Sequence, residues 1–324
     1  MGRLHTRVCS QMPRVKLIGV YDVAAGSAQT SAQQFNTKAF ADLDELLAQS
    51  SAAIIAVPTI HHLAIARRCL ERKVACLIEK PLAPDAASAR QIVDLAAANN
   101  ICVQVGHIER FNPAVRAMAN MEIRPRFIEV TRISPLTFRS IDVGVVLDMM
   151  IHDIDIVLGL ADSPVKSVDA VGVSVLGPDS PEDICNARLH FANGCVANLT
   201  ASRLAMKTER KLRIFSPEAY VSLDYQKKYA MVARRSANLD AIRQTVAKIR
   251  SGEITDLSEL NFPDLVHIEE LTIGDIEPAR AQLESFVDAV TASTPPVVSA
   301  RQGLAAVETA ERIVAATKNA NYEL

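Results

Sequence analysis

Val74-Ala75-Cys76-Leu77-Ile78-Glu79-Lys80-Pro81 is the stretch from which the fold is read. Its apolar run suits a strand buried on both faces, and Glu79-Lys80-Pro81 stops that strand abruptly. Pro81 fixes φ and has no N–H for a ladder, so Lys80 is held at the strand's last position. In an open parallel sheet, ligands gather outside the carboxyl ends of the strands, which would present Lys80 to a cofactor or substrate. A lysine there offers three donors to a reacting hydroxyl. The plainer alternative is a surface Lys-Pro turn.

The sequence on either side supports the sheet. Upstream, Val15–Val20 reads as a strand ending at Tyr21-Asp22, followed by helices over Ala24–Gln34 and Asp42–Gln49, and Ala52–Val57 is a second buried strand broken by Pro58. His62–Arg72 reads as a helix, and downstream come a helix over Asp85–Asn99 and a strand over Ile101–Val105. Strands alternating with helices of this length are βαβ units, hence a parallel sheet covered on both faces.

Asp22 adds chemistry to that pattern. An acidic residue at the end of the second strand is where a dinucleotide fold takes the adenosine ribose 2′-hydroxyl, and it repels the extra phosphate of NADP; an ordinary turn Asp is the alternative. Such a fold also needs a first strand and a glycine loop about 20 residues before the acid. Gly2 stands 20 residues upstream, and Met1-Gly2-Arg3-Leu4-His5 reads as the tail of a GxGxxG loop entering its first helix, with Gly2 as the third glycine. The expectation is that the first strand and two glycines are absent from this chain and that the native product carries roughly ten more N-terminal residues.

Composition sets outer limits. A chain of 324 residues, 49% hydrophobic and 22% charged, has room for two domains with separate cores. Net charge is −2 with the signs interspersed, which predicts neither a nucleic-acid nor a membrane-surface partner. No apolar run has the length of a membrane span, and the N-terminus lacks the apolar core of a signal peptide, so a cytoplasmic protein is expected. The six cysteines show no CxxC spacing and sit mostly in apolar surroundings, as reduced thiols do; no metal site is expected.

Four motifs occur in order: Pro58-Thr59-Ile60-His61-His62, Glu79-Lys80-Pro81, Gly106-His107-Ile108-Glu109-Arg110-Phe111-Asn112-Pro113, and the segment from Gly144 to Asp155 containing Asp148-Met149-Met150-Ile151-His152. With Asp22, they make the chain resemble the glucose-fructose oxidoreductase and inositol dehydrogenase (Gfo/Idh/MocA) family over nearly its whole length. Within that family, Glu109–Val115, Ala187–Arg203 and Arg213–Asp224 are most similar to members that oxidise UDP-N-acetylglucosamine at C3, giving a 3-keto sugar for an aminotransferase. Lys73 departs from the pattern, standing where the family usually has glycine, which argues against a left-handed helix cap there.

The resemblance implies a Rossmann-type NAD(P)-binding α/β domain over residues 1–113, lacking its first strand. An α+β domain with a large open antiparallel sheet would follow over 114–324, its last helix packing back on the first domain. It implies NAD as cofactor, in preference to NADP because of Asp22, beside Gly2, Arg3, Asp22, Val57, Pro58, Thr59, His62, Glu79 and Lys80. His62 can equally cap its helix. Lys80, Asp148 and His152 are the implied catalytic set, with Arg110 and Asn112 joining them around a sugar or UDP-sugar. Arg110 can bind a substrate phosphate or pair with Glu109 or Asp148.

Val146–Leu160 reads as a helix with Val146, Met150, Ile154 and Leu158 facing a core, and Asp148 and His152, four apart, share one face. Read without the family, these two are a surface ion pair, with Asp153 and Asp155 as further solvated charge. Read with it, His152 is the general base for an alcohol proton, because an unperturbed imidazole titrates near neutral pH. Lys80 then binds the same oxygen and the nicotinamide ribose, and Asp148 orients the pair; Lys80 as proton acceptor is the variant mechanism.

From Phe127 on, extended stretches are joined by turns, and Asn193-Gly194 is the strongest hairpin signal. The basic segment Lys227–Ile249 reads as partly helical with a solvated face, and Leu283–Ala292 and Gln302–Ala316 as helices. The family resemblance makes the second domain's sheet a homodimer or homotetramer interface. Two other functions remain open: an inositol or free-sugar dehydrogenase, or a non-catalytic dinucleotide sensor, against which the retained Lys80, Asp148 and His152 argue.

Overall fold

The computed structural model describes residues 1–118, 121–137, 141–175, 177, 180–257, 260 and 268–319. The chain forms two compact units, Met1–Asn112 with Ile276–Arg312, and Pro113–Asp275 with the residues from Ile313 on. A single boundary at residues 113 and 114 is therefore incomplete, since residues 276–312 return to the first unit.

The first unit runs α1 (Gly2–Ser10), β1 (Gly19–Val20), α2 (Ala25–Gln34), β2 (Lys38–Ala39), α3 (Leu43–Leu47), β3 (Ala52–Ile55), α4 (His62–Glu71), β4 (Ala75–Glu79), α5 (Ala86–Asn99) and β5 (Val103–Gly106). Strands β3, β4 and β5 are parallel neighbours, and β1 and β2 form a separate parallel pair. The strand expected over Val15–Val20 shrinks to Gly19–Val20 because only those two residues find partners, Lys38 and Ala39. Asp42 and Asp85 cap α3 and α5 with their carboxylates, Asp85 taking the Ser88 N–H at 2.7 Å.

Lys73 does adopt the left-handed conformation, at φ +60°. The reason is closure of the last helical turn: Val74 N–H donates to Cys69 O at 2.9 Å, the six-to-one bond of a Schellman cap. A lysine tolerates this at a cost of about 1–2 kcal/mol relative to an ordinary backbone conformation.

The second unit runs α6 (Pro113–Ala117), β6 (Phe127–Ile133), a π-helical turn over Val146–Met150, α7 (Ile151–Ala161), β7 (Val165–Val173), β8 (Ile184–Phe191), β9 (Val196–Ser202), β10 (Glu209–Phe215), β11 (Ala219–Asp224), β12 (Tyr229–Arg234), α8 (Arg235–Ser251) and β13 (Glu269–Glu270). Among the described residues its sheet has eight strands in the order β13-β12-β11-β10-β6-β9-β8-β7. The sheet is mixed rather than antiparallel, since β6 and β9 run parallel. Parallel partners need a crossover connection, and the long segment between β6 and β9, with α7 packed on β9, supplies it. The Asn193-Gly194 turn closes the β8–β9 hairpin, with Gly194 at φ +84°.

Helices α9 (Pro278–Ala292) and α10 (Ala300–Asn319) follow; α9 and α10 as far as Arg312 belong to the first unit. Their return explains why β4 reads as an unbroken apolar run. Cys76 and Ile78 join the core formed with Cys69 and Leu70 of α4 and Ile92 of α5, while Ala75 and Leu77 join Val8 and Cys9 of α1 and Leu283 and Phe286 of α9. A strand sandwiched between two helical layers has no polar face.

Candidate active site

The first unit brings its predicted residues to the carboxyl ends of β1, β3 and β4. Asp22 is exposed just beyond β1, where its Oδ1 accepts the Ala24 N–H at 2.8 Å and fixes the turn. Beyond β3, Val57 and Pro58 are exposed and Thr59 is half-buried, opening a short 3-10 turn over Thr59–His61. Val23, Val57 and Ile60 are exposed apolar residues at these strand ends, with Val23 and Ile60 at 91% and 71%. Such side chains fit the faces of a planar ring better than water. Gly2 opens α1, and a Cβ placed on it would lie 3.9 Å from the Ala56 side chain, an ordinary contact; Arg3 is exposed.

At the end of β4 the carboxylate of Glu79 is buried at 7% exposure. Its Oε1 lies 2.5 Å from His5 Nε2, and its Oε2 accepts the main-chain N–H of Lys80 at 3.3 Å. Gly106 on β5 is required by this packing, because a Cβ there would sit 2.9 Å from Glu79 Cα and 3.0 Å from Oε2. Lys80 is half-buried and joined to Pro81 by a cis peptide. With Pro81 and Leu82 buried after it, the lysine is not in a surface turn, and Glu79 before it is held through both carboxylate oxygens.

His62 departs from the expectation of a cofactor contact or a helix cap. It is 1% exposed and makes no cap bond; its ring nitrogens meet Val57 O, Pro81 O and Leu82 O. Burial holds its pKa below the ordinary imidazole value, against the opposing pull of those carbonyls and of Glu79. Arg110 and Asn112 are half-buried after β5, and Asn112 Nδ2 donates to Glu109 Oε2 at 3.0 Å.

In the second unit, Asp148 lies in the π-helical turn and His152 in the first turn of α7. The single α-helix expected over Val146–Leu160 is therefore wound wider at its start, a local form frequent at functional sites. From Val145 to Val157 only Leu147, Asp148, Met149 and His152 escape burial, so this helix offers the two titratable groups among few exposed side chains. Asp153 and Asp155 are not solvated charge; they are 2% and 1% exposed. Asp153 takes Arg132 Nε at 2.6 Å and Nη2 at 2.8 Å.

The helix entrance is fixed separately. Glu182 accepts the Val145 N–H with its main-chain oxygen and the Val146 N–H with Oε1, both at 3.0 Å. Buried Arg203 donates to Val143 O at 2.8 Å and to Asp183 Oδ1 at 2.6 Å. A Cβ on Gly144 would fall 2.1 Å from Glu182 Oε1, so the glycine leaves the space that carboxylate fills. None of His5, Arg132, Glu182, Asp183 or Arg203 was singled out from sequence. His5 alone had a visible signal, a polar residue at a core-facing step of α1 with Val8, Cys9 and Met12.

A parallel-stranded unit with an acid beyond β1 and a locked lysine beyond β4, joined in one chain to a unit with a broad mixed sheet, defines a dinucleotide-dependent oxidoreductase. Residues 1–107 match the model of an oxidoreductase family with an NAD-binding Rossmann fold, and residues 131–222 match the Gfo/Idh/MocA C-terminal domain. UDP-N-acetylglucosamine 3-dehydrogenase of Acidithiobacillus ferrooxidans is 31% identical over 91% of this chain and 87% of its own. A solved structure of that enzyme superimposes with a TM-score of 0.86 at 28% identity, covering 98% and 94% of the two chains. Inositol 2-dehydrogenase of Leifsonia xyli is 28% identical over 52% of this chain and 53% of its own. Levoglucosan dehydrogenase in complex with NADH and levoglucosan shares the fold, with a TM-score of 0.81 at 19% identity over 98% and 95% of the chains.

The chain belongs to the Gfo/Idh/MocA oxidoreductase family, with a Rossmann NAD-binding domain followed by a C-terminal domain built on a large mixed sheet. Among the described residues, no helix is long and apolar enough to cross a membrane.

Proposed function

We propose that this protein oxidises the C3 hydroxyl of UDP-N-acetylglucosamine with NAD, giving a 3-keto sugar nucleotide. The observation that carries the reading is the likeness, along nine-tenths of the chain, to a UDP-N-acetylglucosamine 3-dehydrogenase. Asp22 supports NAD over NADP: it is exposed beyond β1, one oxygen is engaged by its own turn, and its negative charge opposes a 2′-phosphate. Gly2, Arg3, Val57, Pro58 and Thr59 are the other residues assigned to the cofactor.

When bound, NAD accepts the hydride from the alcohol carbon. His152 takes the hydroxyl proton, and Lys80 donates a hydrogen bond to the same oxygen, stabilising the charge that develops on it. Asp148 orients His152, while Arg110 and Asn112 bind the nucleotide portion of the substrate. A ketone product at C3 is the form that an aminotransferase consumes.

The half-exposed sheet face carrying Phe127, Phe215 and Tyr220 is assigned to contact with another copy of the chain. Their rings pack tilted at 48° with 5.8 and 4.9 Å between centroids, and Phe215 is 41% exposed. An aromatic cluster of this kind is typical of interface cores.

The test is NADH formation with UDP-N-acetylglucosamine, myo-inositol and glucose as separate substrates. Lys80→Ala and His152→Ala should each lower turnover of the sugar nucleotide by at least roughly a hundredfold. Near-normal turnover in both variants overturns the catalytic assignment. Preference for myo-inositol moves the substrate to the second reading, which the likeness to inositol 2-dehydrogenase over half the chain favours.

A further inference from the structure

His62 is chemically the most versatile side chain at the strand ends, yet it is sealed from solvent at 1% exposure. Its Nδ1 lies 3.0 Å from Pro81 O and 3.3 Å from Leu82 O, and its Nε2 lies 3.0 Å from Val57 O. Val57 follows β3, and Pro81 and Leu82 follow β4, so the ring of this first residue of α4 is lodged between the main chains leaving two adjacent parallel strands.

We propose that His62 is a positioning residue for Lys80, clipping the Pro81–Leu82 main chain through its Nδ1–H to the start of α4 so that β4 delivers the lysine amine to a fixed place. The proposal rests on the reading of Lys80 as a group that touches substrate. It replaces direct cofactor contact as the role of this histidine.

The clip is one half of a bracket. On the N-terminal side of Lys80, Glu79 is held by His5 Nε2 at 2.5 Å and accepts the Lys80 N–H at 3.3 Å, against the glycine surface of Gly106. On the C-terminal side, the carbonyls of the next two residues meet His62. Lys80 therefore stands between two anchored segments. Displacement of a catalytic group by about 1 Å can cost two orders of magnitude in rate.

The geometry also states which nitrogen matters. Burial lowers the imidazole pKa, so the ring is neutral at pH 7 and carries one N–H. Two carbonyls face Nδ1 and one faces Nε2, which places the single proton on Nδ1, donating to Pro81 O with Leu82 O beside it, and leaves Nε2 without a proton to give Val57 O. An apolar side chain of equal volume would fill the space and leave Pro81 O unheld.

Asn carries its amide nitrogen near the position of Nδ1, and Gln near that of Nε2, so His62→Asn, His62→Gln and His62→Leu separate the clip from mere filling. His62→Asn should retain at least about tenfold more turnover than His62→Gln or His62→Leu, with NAD affinity alike in all three. A second readout needs neither cofactor nor substrate: trace acetylation of Lys80 in the full-length protein, followed by peptide mass spectrometry. His62→Asn should keep the wild-type acetylation rate, and His62→Gln should change it by at least about threefold.

If the Asn and Gln variants behave alike by acetylation, the ring only fills space and the clip is refuted. If the wild-type protein forms no NADH with any sugar nucleotide, the dehydrogenase assignment fails, while unequal acetylation of Lys80 still supports the clip. If the Leu variant does not fold, the Asn and Gln pair decides.

Discussion

Asp153→Asn removes one charge from a pair that is almost wholly desolvated. Arg132 and Asp153 are 4% and 2% exposed and meet through two bonds of 2.6 and 2.8 Å, and Arg132 also stands over the Tyr225 ring at 6.0 Å from its centroid. Removing one partner of such a pair typically costs about 3–5 kcal/mol, because the remaining charge stays buried. At about 2–4 °C per kcal/mol for a domain of this size, Tm should fall by roughly 6–20 °C. The assay is thermal unfolding of wild type, Asp153→Asn, Asp153→Leu, Arg132→Met and the double variant Arg132→Met/Asp153→Leu. The double variant should recover most of the loss, since apolar replacement of a buried pair is often neutral. Because Asp153 adjoins His152 on α7, the double variant should still turn over more slowly than wild type. A Tm for Asp153→Asn within about 1 °C of wild type would refute the reasoning, as would a double variant as unstable as the sum of the singles.

Three further outcomes follow from individual positions. Gly106→Ala should destabilise by about 1–3 kcal/mol in urea unfolding and impair turnover, because the added Cβ lies 2.9 Å from Glu79 Cα, which is backbone and cannot swing away. Lys73→Gly should instead stabilise by up to about 1 kcal/mol, since Lys73 holds φ +60° on the exposed end of α4; a lower Tm in this variant contradicts the strain. Burial pushes the Cys9 thiol up to about 11 and Cys185 up to about 12, so both should resist iodoacetamide at pH 8 in the native protein and react on unfolding. Raised folded-state values also mean that the contribution of these thiols to stability is present below the unfolded pKa and is lost as pH rises through the folded values. Urea titrations from pH 8 to 11 should show that decline, and a rise would reverse the assignment.

Much of the first unit was legible because its signals are local. An apolar run ended by Glu-Lys-Pro, alternating strand and helix periods, and capping aspartates at 42 and 85 each act through neighbours a few residues away. Asp22, Lys80, Asp148 and His152 could be named because the motifs that contain them resemble a known family's. The π-helical turn at Val146–Met150 was not legible, since the groups that hold its entrance, Glu182 and Arg203, lie 36 or more residues downstream. The parallel β6–β9 pair was hidden for the same reason: strand direction depends on how a long connection returns.

Sequence by itself determined most of the element types and nominated the candidate site residues, because hydrophobic period, turn residues and motif order are properties of adjacent positions. Only the tertiary structure decided the states of the charged and polar side chains. It buried Asp153 against Arg132, set His5 on Glu79 and turned His62 from the solvent to three main-chain carbonyls. The physical reason is desolvation: a histidine or aspartate has the same formula on a surface or in a core, and its role depends on which distant groups replace its water.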